Sequence, residues 1–215
     1  MEQHVNIRAL ASKLFTHFIL IIATMVIGLP FLWMLSTSIK GPTEVAMFPP
    51  VWWPKEVRLD NFTTAWNTAP FGRFYINSIV TAAAGVILGV VTAAFAAYAF
   101  ARIRFKYRDF FFLVMLAAMM IPGQVALIPN YVILAKLNWI NTYQGIVVPH
   151  IANVFGAFLL RQYFMTIPND LYDAAQIDGL GHTRTLLHVA LPLSRPVLGT
   201  LLLYLFIQKW NAYLW

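Results

Sequence analysis

The sequence has no cysteine and few charged residues. With no cysteine in 215 residues, disulfides and thiol chemistry are excluded, and the redox compartment stays open. Charged residues make up 11% of the chain and hydrophobic residues 60%, whereas an ordinary soluble domain is about 25% charged. A soluble fold of this length could not bury so much apolar surface. The composition therefore predicts a polytopic membrane protein.

Several functional motifs are also missing. The sequence contains no GxxxxGK[ST] motif, so we do not expect the chain to bind ATP through a P-loop. The long apolar stretches contain no Asp or Glu, which an ion-coupled carrier commonly needs for its coupling ion and an intramembrane hydrolase for catalysis. The histidines lack metal-ligand spacing; they are His4, His17, His150, His182 and His188. We predict no catalytic residues and no metal site, and keep an ion-driven secondary transporter as the alternative from another class.

Five apolar stretches predict the fold class. About 20 helical residues cross a bilayer core of about 30 Å, and lipid requires each segment to satisfy its own backbone hydrogen bonds. We therefore predict an all-α transmembrane helix bundle with five spans, the first an uncleaved signal anchor. The stretches are 14–36, 76–101, 110–129, 143–160 and 197–215.

The placement of basic residues predicts the topology. The short segment 102–108 contains four basic residues and no acidic one, as is typical of cytoplasmic loops. The N-terminal segment 1–13 and the segment 161–196 are then cytoplasmic, and 37–73 is a periplasmic loop. Because topology accounts for the net charge of +7, nucleic acid is not an expected partner. The stretch FPPVWWP at 48–54 favours a position at the membrane interface, where tryptophan is enriched.

Small residues dominate the second apolar stretch. Gly85 and Gly89 form a GxxxG motif among many alanines, a pattern that lets helix backbones approach closely. The motif is equally compatible with packing inside the bundle and with a subunit interface.

Lys209 is the only Lys, Arg, Asp or Glu inside a predicted span, and such a charge is a functional candidate. It could face a translocation cavity, pair with a carbonyl group at a helix break, or belong to an interface. Other polar groups in the spans are candidates for the same pathway, although such groups more often make packing hydrogen bonds. They are Gln208, Asn211, Asn77, Asn153 and Gln124.

The segment 161–196 is polar and contains two glycines. Its sequence predicts a short helix, DLYDAAQID, that ends at Gly179, because glycine takes the left-handed conformation at low cost. A second helix over 183–190 is expected to close at Pro192. The segment should be a stiff elbow between two spans.

The order of residues in this elbow resembles the EAA loop of permeases in binding-protein-dependent ABC importers. The matching positions are Asp173, Ala174, Ala175, Gly179 and Pro192. The words NSIVTA (77–82), RQYFMTIPNDL (161–171), ALPLSRP (190–196) and WNAYLW (210–215) are similar to the carbohydrate-type permeases. The resemblance covers the whole chain and implies the type I ABC importer permease fold over 74–215. Permeases of this family usually have a sixth span, so we expect a truncated sequence.

The resemblance also implies a coupling role for the elbow. Residues 173–175, Asp178, Gly179, Leu180 and Pro192 would contact a cytoplasmic ATPase. Asp173 stands where the family usually has Glu, and Leu180 where a small residue is common, so individual contacts can differ. The implied partners are a second homologous permease, two copies of the ATPase carrying ATP and Mg, and an extracytoplasmic solute-binding protein. The setting would be a bacterial or archaeal inner membrane, and the solute a sugar or, as the alternative that Lys209 and WNAYLW favour, glycerol 3-phosphate.

Overall fold

A computed structural model describes the backbone of residues 7–212 and the side chains of residues 12–212, and every regular element in this part of the chain is helical. Residues 1–6, with His4, and the last three residues of WNAYLW lie outside the described residues. The α-helices are α1 Ile7–Ser38, α2 Pro42–Val45, α3 Asp60–Thr68, α4 Phe71–Arg102, α5 Arg108–Ala117, α6 Leu127–Lys136, α7 Tyr143–Val147, α8 Val154–Thr166, α9 Asn169–Ile177, α10 His182–Thr185, α11 Leu191–Leu193 and α12 Arg195–Trp210. Shorter 3₁₀ turns lie at Ala118–Met120, Gly123–Ala126 and Val148–His150, and a π-helical turn lies at Leu186–Ala190.

The chain forms two compact units, Met1–Gly72 and Arg73–Trp215. In the first unit, the segment after α1 folds back onto the end of that helix. The Asn61 amide donates to the carbonyls of Ser38 (3.0 Å) and Lys40 (2.9 Å). The Lys40 ammonium is buried, donates to the Val51 carbonyl and lies 4.2 Å from the centre of the Trp33 ring. These contacts hold the proline- and tryptophan-rich stretch at the end of α1.

In the second unit, α4 packs through its small residues against α12. A Cβ placed on Gly85 would lie 3.4 Å from Lys209 Cε, and one on Gly89 would lie 3.4 Å from Leu205 Cδ1. Glycine at both positions lets α12 lie directly on the backbone of α4. The GxxxG motif therefore makes a packing contact within this chain.

Only some of the predicted spans are continuous helices. Among the described residues, Ser12–Ser38 and Phe71–Arg102 are each long and apolar enough to cross a membrane unbroken. Three further helix pairs reach that length only together, across bends of 86°, 45° and 87°. The expectation of one regular helix over 110–129 and another over 143–160 is therefore wrong. The backbone breaks at Pro122 and near Pro149, because proline lacks the N–H that a regular helix needs.

One predicted helix end in the elbow also requires correction. The helix α8 continues past Arg161 to Thr166, so the first residues of the predicted segment 161–196 are helical, and the membrane boundary at Arg161 stays a prediction. Pro192 does not close the second helix. It lies inside α11, directly after the π-helical turn at Leu186–Ala190, and the helix continues to Leu193. The sharp bend follows at Ser194, and the elbow spans 167–194.

Candidate functional site

The end of α9 is a rigid turn built around Gly179. Gly179 has φ +77, a conformation that only glycine adopts at low cost. Its N–H donates to the Gln176 carbonyl (3.0 Å), and the Leu180 N–H donates to the Ala175 carbonyl (2.9 Å). These two bonds form a Schellman motif, which satisfies the carbonyls left unpaired at the helix end. The predicted helix stop thus has the predicted geometry.

The structure brings most of the predicted coupling residues onto one short surface. Asp173, Ala174 and Asp178 are exposed, whereas Ala175 is buried against the rest of the unit. Ile177 was not among the predicted residues, yet it is 86% exposed. Leu180 is partly buried, and Pro192 is partly buried on the separate helix α11. The surface of α9 and its C-terminal end therefore combines three carboxylates, those of Asp170, Asp173 and Asp178, with the strongly exposed side chain of Ile177.

Arg102, at the end of α4, holds the start of α9 in place. Its guanidinium donates to Asn169 Oδ1 (2.6 Å) and to the carbonyls of Ile167 (2.7 Å) and Phe164. It also lies 3.8 Å from the centre of the Tyr172 ring. One side chain thus connects the last turn of α4 to the turn before α9.

An aromatic cluster and two further polar contacts complete the attachment. Tyr98 on α4 packs against the rings of Tyr172, Phe164 and His182, with centroids 6.1 to 6.5 Å apart. Arg161 Nε donates to the Phe100 carbonyl (3.2 Å). On the far side of the elbow, the Tyr163 hydroxyl donates to the Leu193 carbonyl (3.1 Å). The elbow is therefore fastened to the bundle at both ends.

A cavity of about 830 Å³ lies within the second unit, and many of its lining side chains are polar. Three of the predicted pathway residues line it: Lys209, Gln208 and Asn77. Lys209 is half-buried, and its stem lies against Gly85. The Tyr143 hydroxyl donates to Asn77 Oδ1 (2.7 Å). The remaining lining residues are Arg73, Ser78, Thr81, Asn141, Thr142, Gln144, Ile146, Val147, His150, Trp210 and Ala212.

The cavity wall presents hydroxyl, amide and cationic groups and no carboxylate among the described residues. Such a wall can donate hydrogen bonds to hydroxyl and anionic oxygen atoms.

Three predicted pathway residues lie elsewhere, and two of them make structural hydrogen bonds. The Asn153 side chain accepts from the Gly156 N–H and caps α8. The Asn211 amide donates to the Ile207 carbonyl (3.0 Å) at the end of α12. Gln124 is exposed in the 3₁₀ turn at the break between α5 and α6. Half of the six predicted pathway residues therefore line the cavity.

The sequence did not predict the residues whose contacts lie far away along the chain. Arg102 was interpreted only as a topology signal, because its partners lie 62 to 67 residues away. Tyr143 has no motif around it and reaches the cavity through the broken helix at α7. In the sequence, the one feature that could have indicated Tyr143 is its hydroxyl group close to a proline that breaks the helix.

Comparison with known proteins assigns the family. Residues 85–215 match the family described as binding-protein-dependent transport system inner membrane component. The chain belongs to this family, the permease subunits of ABC importers.

Two curated relatives show similarity over most of this chain. The diacetylchitobiose uptake system permease protein NgcG of Streptomyces coelicolor is 32% identical, over 93% of this chain and 66% of the relative. The sn-glycerol-3-phosphate transport system permease protein UgpE of Yersinia enterocolitica is 34% identical, over 94% of this chain and 74% of the relative. The chain thus spans about two thirds to three quarters of the length of these relatives.

A solved structure shares the fold. A chain from the crystal structure of a bacterial ABC transporter involved in the import of the acidic polysaccharide alginate superposes with a TM-score of 0.84. The match covers 99% of this chain and 75% of that chain, at 23% identity. The predicted all-α permease fold is confirmed.

Proposed function

We propose that this chain forms half of the translocation pathway of an ATP-driven importer for a carbohydrate. The anchored elbow at 167–194 is the observation that carries the proposal. It presents Asp173 and Ile177 on a helix that hydrogen bonds and aromatic contacts fix to the bundle. A rigid lever of this kind can transmit movement between a partner bound to α9 and the helices behind it.

The partner in this proposal is a cytoplasmic ATPase present in two copies, which carries ATP and Mg. The N-terminus and the elbow then face the cytoplasm of a bacterial or archaeal cell. A second, homologous permease completes the pathway, and an extracytoplasmic solute-binding protein delivers the solute. The family supports these partners in general terms, and the basic segment 102–108 supports the orientation.

A carbohydrate is the proposed solute because the cavity wall is rich in hydroxyl and amide groups. These groups can exchange hydrogen bonds with the hydroxyls of a polyol. One of the two relatives, a diacetylchitobiose permease, supports the same class, whereas the other is an sn-glycerol-3-phosphate permease. Glycerol 3-phosphate is the alternative solute, since Lys209 places a cation on the cavity wall.

The test is uptake by membrane vesicles that contain the complete transporter. We expect uptake that needs ATP and the binding protein and that persists when ion gradients are collapsed. Uptake that ceases with the gradients and ignores ATP would favour the ion-driven carrier instead. Competition between radiolabelled sugar oligomers and glycerol 3-phosphate then identifies the solute class.

A substitution of Lys209, compared with a control substitution on the same helix, tests whether the cavity binds the solute. Lys209→Met removes the charge and keeps the length of the stem that packs on Gly85. We expect it to change the apparent affinity for solute without lowering the amount of transporter in the membrane. Leu203→Met on the same helix, at an exposed position outside the cavity, is the control. Identical uptake by both variants and the parent would show that the charge of Lys209 does not contribute to solute binding.

A further inference from the structure

A second cavity, of about 630 Å³, lies behind the elbow and is separate from the proposed pathway. It is a partly open cavity bordered by the end of α4, the start of α5, α9 and α10. We call this part of the second unit the basic end, because α4 finishes there at Arg102 and α5 begins there at Arg108. The lining residues are Tyr98, Ala101, Arg102, Ile103, Arg104, Arg108, Asn169, Tyr172, Asp173, Gln176, His182 and Thr185.

Positive charge dominates this cavity. Three arginines line it against one carboxylate, that of Asp173. Arg104 is exposed and forms no ion pair within the described residues. Arg108 contacts Asp109 through Nε (3.3 Å), which leaves its terminal nitrogens available. The wall therefore has cationic donors that this part of the chain does not neutralise.

Two buried donors in the same wall make no hydrogen bond of regular geometry within the described residues, although the Arg102 guanidinium lies close enough to Tyr172 to act on its hydroxyl. They are the Tyr172 hydroxyl and Arg102 Nε. Burial raises the pKa of the Tyr172 phenol, and the charge of Arg102 acts against that rise, so the hydroxyl stays protonated at physiological pH. An unpaired buried donor is costly, and a ligand with several acceptor oxygens could relieve that cost after a small shift of the side chains.

The geometry points to a site for a phosphate group in this cavity. Phosphate has the acceptor oxygens that arginine forks bind best. The basic end also terminates α4, a helix long and apolar enough to cross the membrane, so it lies at the level of lipid headgroups. Basic pockets between helices at this level bind phosphate headgroups. The phosphate can belong to an anionic lipid or to a free phosphate, and the site stands apart from the solute pathway.

Binding to the assembled transporter in detergent tests the site. The probes are short-chain phosphatidylglycerol, phosphatidylcholine of equal chain length, and inorganic phosphate. We expect one anionic probe to bind, and Arg104→Gln to weaken that binding by about tenfold, the effect of one charge-assisted hydrogen bond. Tyr172→Phe should also weaken it. Arg104 is exposed, and thermal unfolding of the Arg104→Gln variant should match that of the parent.

Arg195→Gln is the matched control. Arg195 is an exposed arginine at the first position of α12 and does not line the cavity, so its loss should leave binding unchanged. Phosphatidylglycerol binding that phosphate does not displace identifies a lipid site. Binding of inorganic phosphate alone, with competition, identifies a free-phosphate site. Absence of Arg104-dependent binding, or an equal loss in Arg195→Gln, would overturn the proposal.

Discussion

One backbone angle at Gly179 sets how α9 ends, and a neighbouring glycine allows that angle to be tested. A Cβ on either Gly179 or Gly181 would meet no atom within 4 Å. Only Gly179 has a positive φ, of +77, whereas Gly181 has φ −73. Any difference between substitutions at the two positions therefore reports backbone strain and not a steric clash.

We predict that Gly179→Ala loosens the end of α9 and that Gly181→Ala does not. The left-handed conformation costs alanine about 1–2 kcal/mol, which should speed hydrogen exchange at the Leu180 amide by roughly 5- to 30-fold. Hydrogen exchange with mass spectrometry measures this directly. In the proposed importer, the same variant should hydrolyse more ATP per solute moved, with normal membrane insertion. Equal exchange in both variants would contradict the strain argument.

Asn153 distinguishes a helix cap from a solute contact. Its side chain accepts from the Gly156 N–H at the start of α8. Asn153→Ala should therefore lower the free energy of unfolding by about 1 kcal/mol, and Asn153→Ser should retain most of it because serine also caps helices. Thermal unfolding in detergent measures both. Apparent solute affinity should be unchanged in both variants. An equal loss of solute affinity in both variants would instead show that Asn153 contacts the solute.

At the scale of elements, the contact between α4 and α12 depends on the absence of side chains at two positions. Gly89 faces Leu205, whereas Gly199 on α12 has open space around it. We predict that Gly89→Leu destabilises the second unit by about 1–3 kcal/mol through overpacking. Gly199→Leu should have little effect. Melting temperatures of the purified variants in detergent check this. Similar melting temperatures for the two variants would contradict a close contact between α4 and α12 at Gly89.

The elements show what a sequence can and cannot reveal. The end of α9 could be predicted because a glycine stop and its hydrogen bonds involve only neighbouring residues. The breaks near Pro122 and Pro149 were missed because prolines are tolerated in transmembrane helices when neighbouring groups satisfy the freed carbonyls. The contacts of Arg102 with 164–169 could not be predicted, since no local pattern brings together residues more than 60 positions apart.

At the scale of the whole molecule, composition predicted the class of protein, and the elbow predicted the family. Only half of the predicted pathway residues line the cavity, because a polar residue in a span has the same appearance in sequence whether it caps a helix or faces a cavity. Asn153 and Asn77 illustrate this: one is a cap and the other lines the cavity. The orientation in the membrane stays a prediction from the basic segment 102–108.

The lack of cysteine makes that orientation measurable with single reporter cysteines. Lys55 lies in the predicted periplasmic loop and Thr183 in the predicted cytoplasmic elbow, and both are exposed. We expect Lys55→Cys to react with a membrane-impermeant maleimide in intact spheroplasts. Thr183→Cys should react only after the membrane is permeabilised. The parent chain is the blank, since it has no thiol of its own.

The reverse labelling pattern would place the elbow outside the cell, where no ATP-driven partner could reach it. That result would refute the coupling role of α9 while leaving the fold unchanged. Labelling of both cysteines in intact spheroplasts would instead show that an odd number of spans does not separate the two positions. Between Lys55 and Thr183 the structure has one continuous span, α4, and two bent helix pairs that reach spanning length. The expected pattern therefore requires that either both bent pairs or neither of them cross the membrane, and the experiment tests whether the number of crossings is odd together with the orientation.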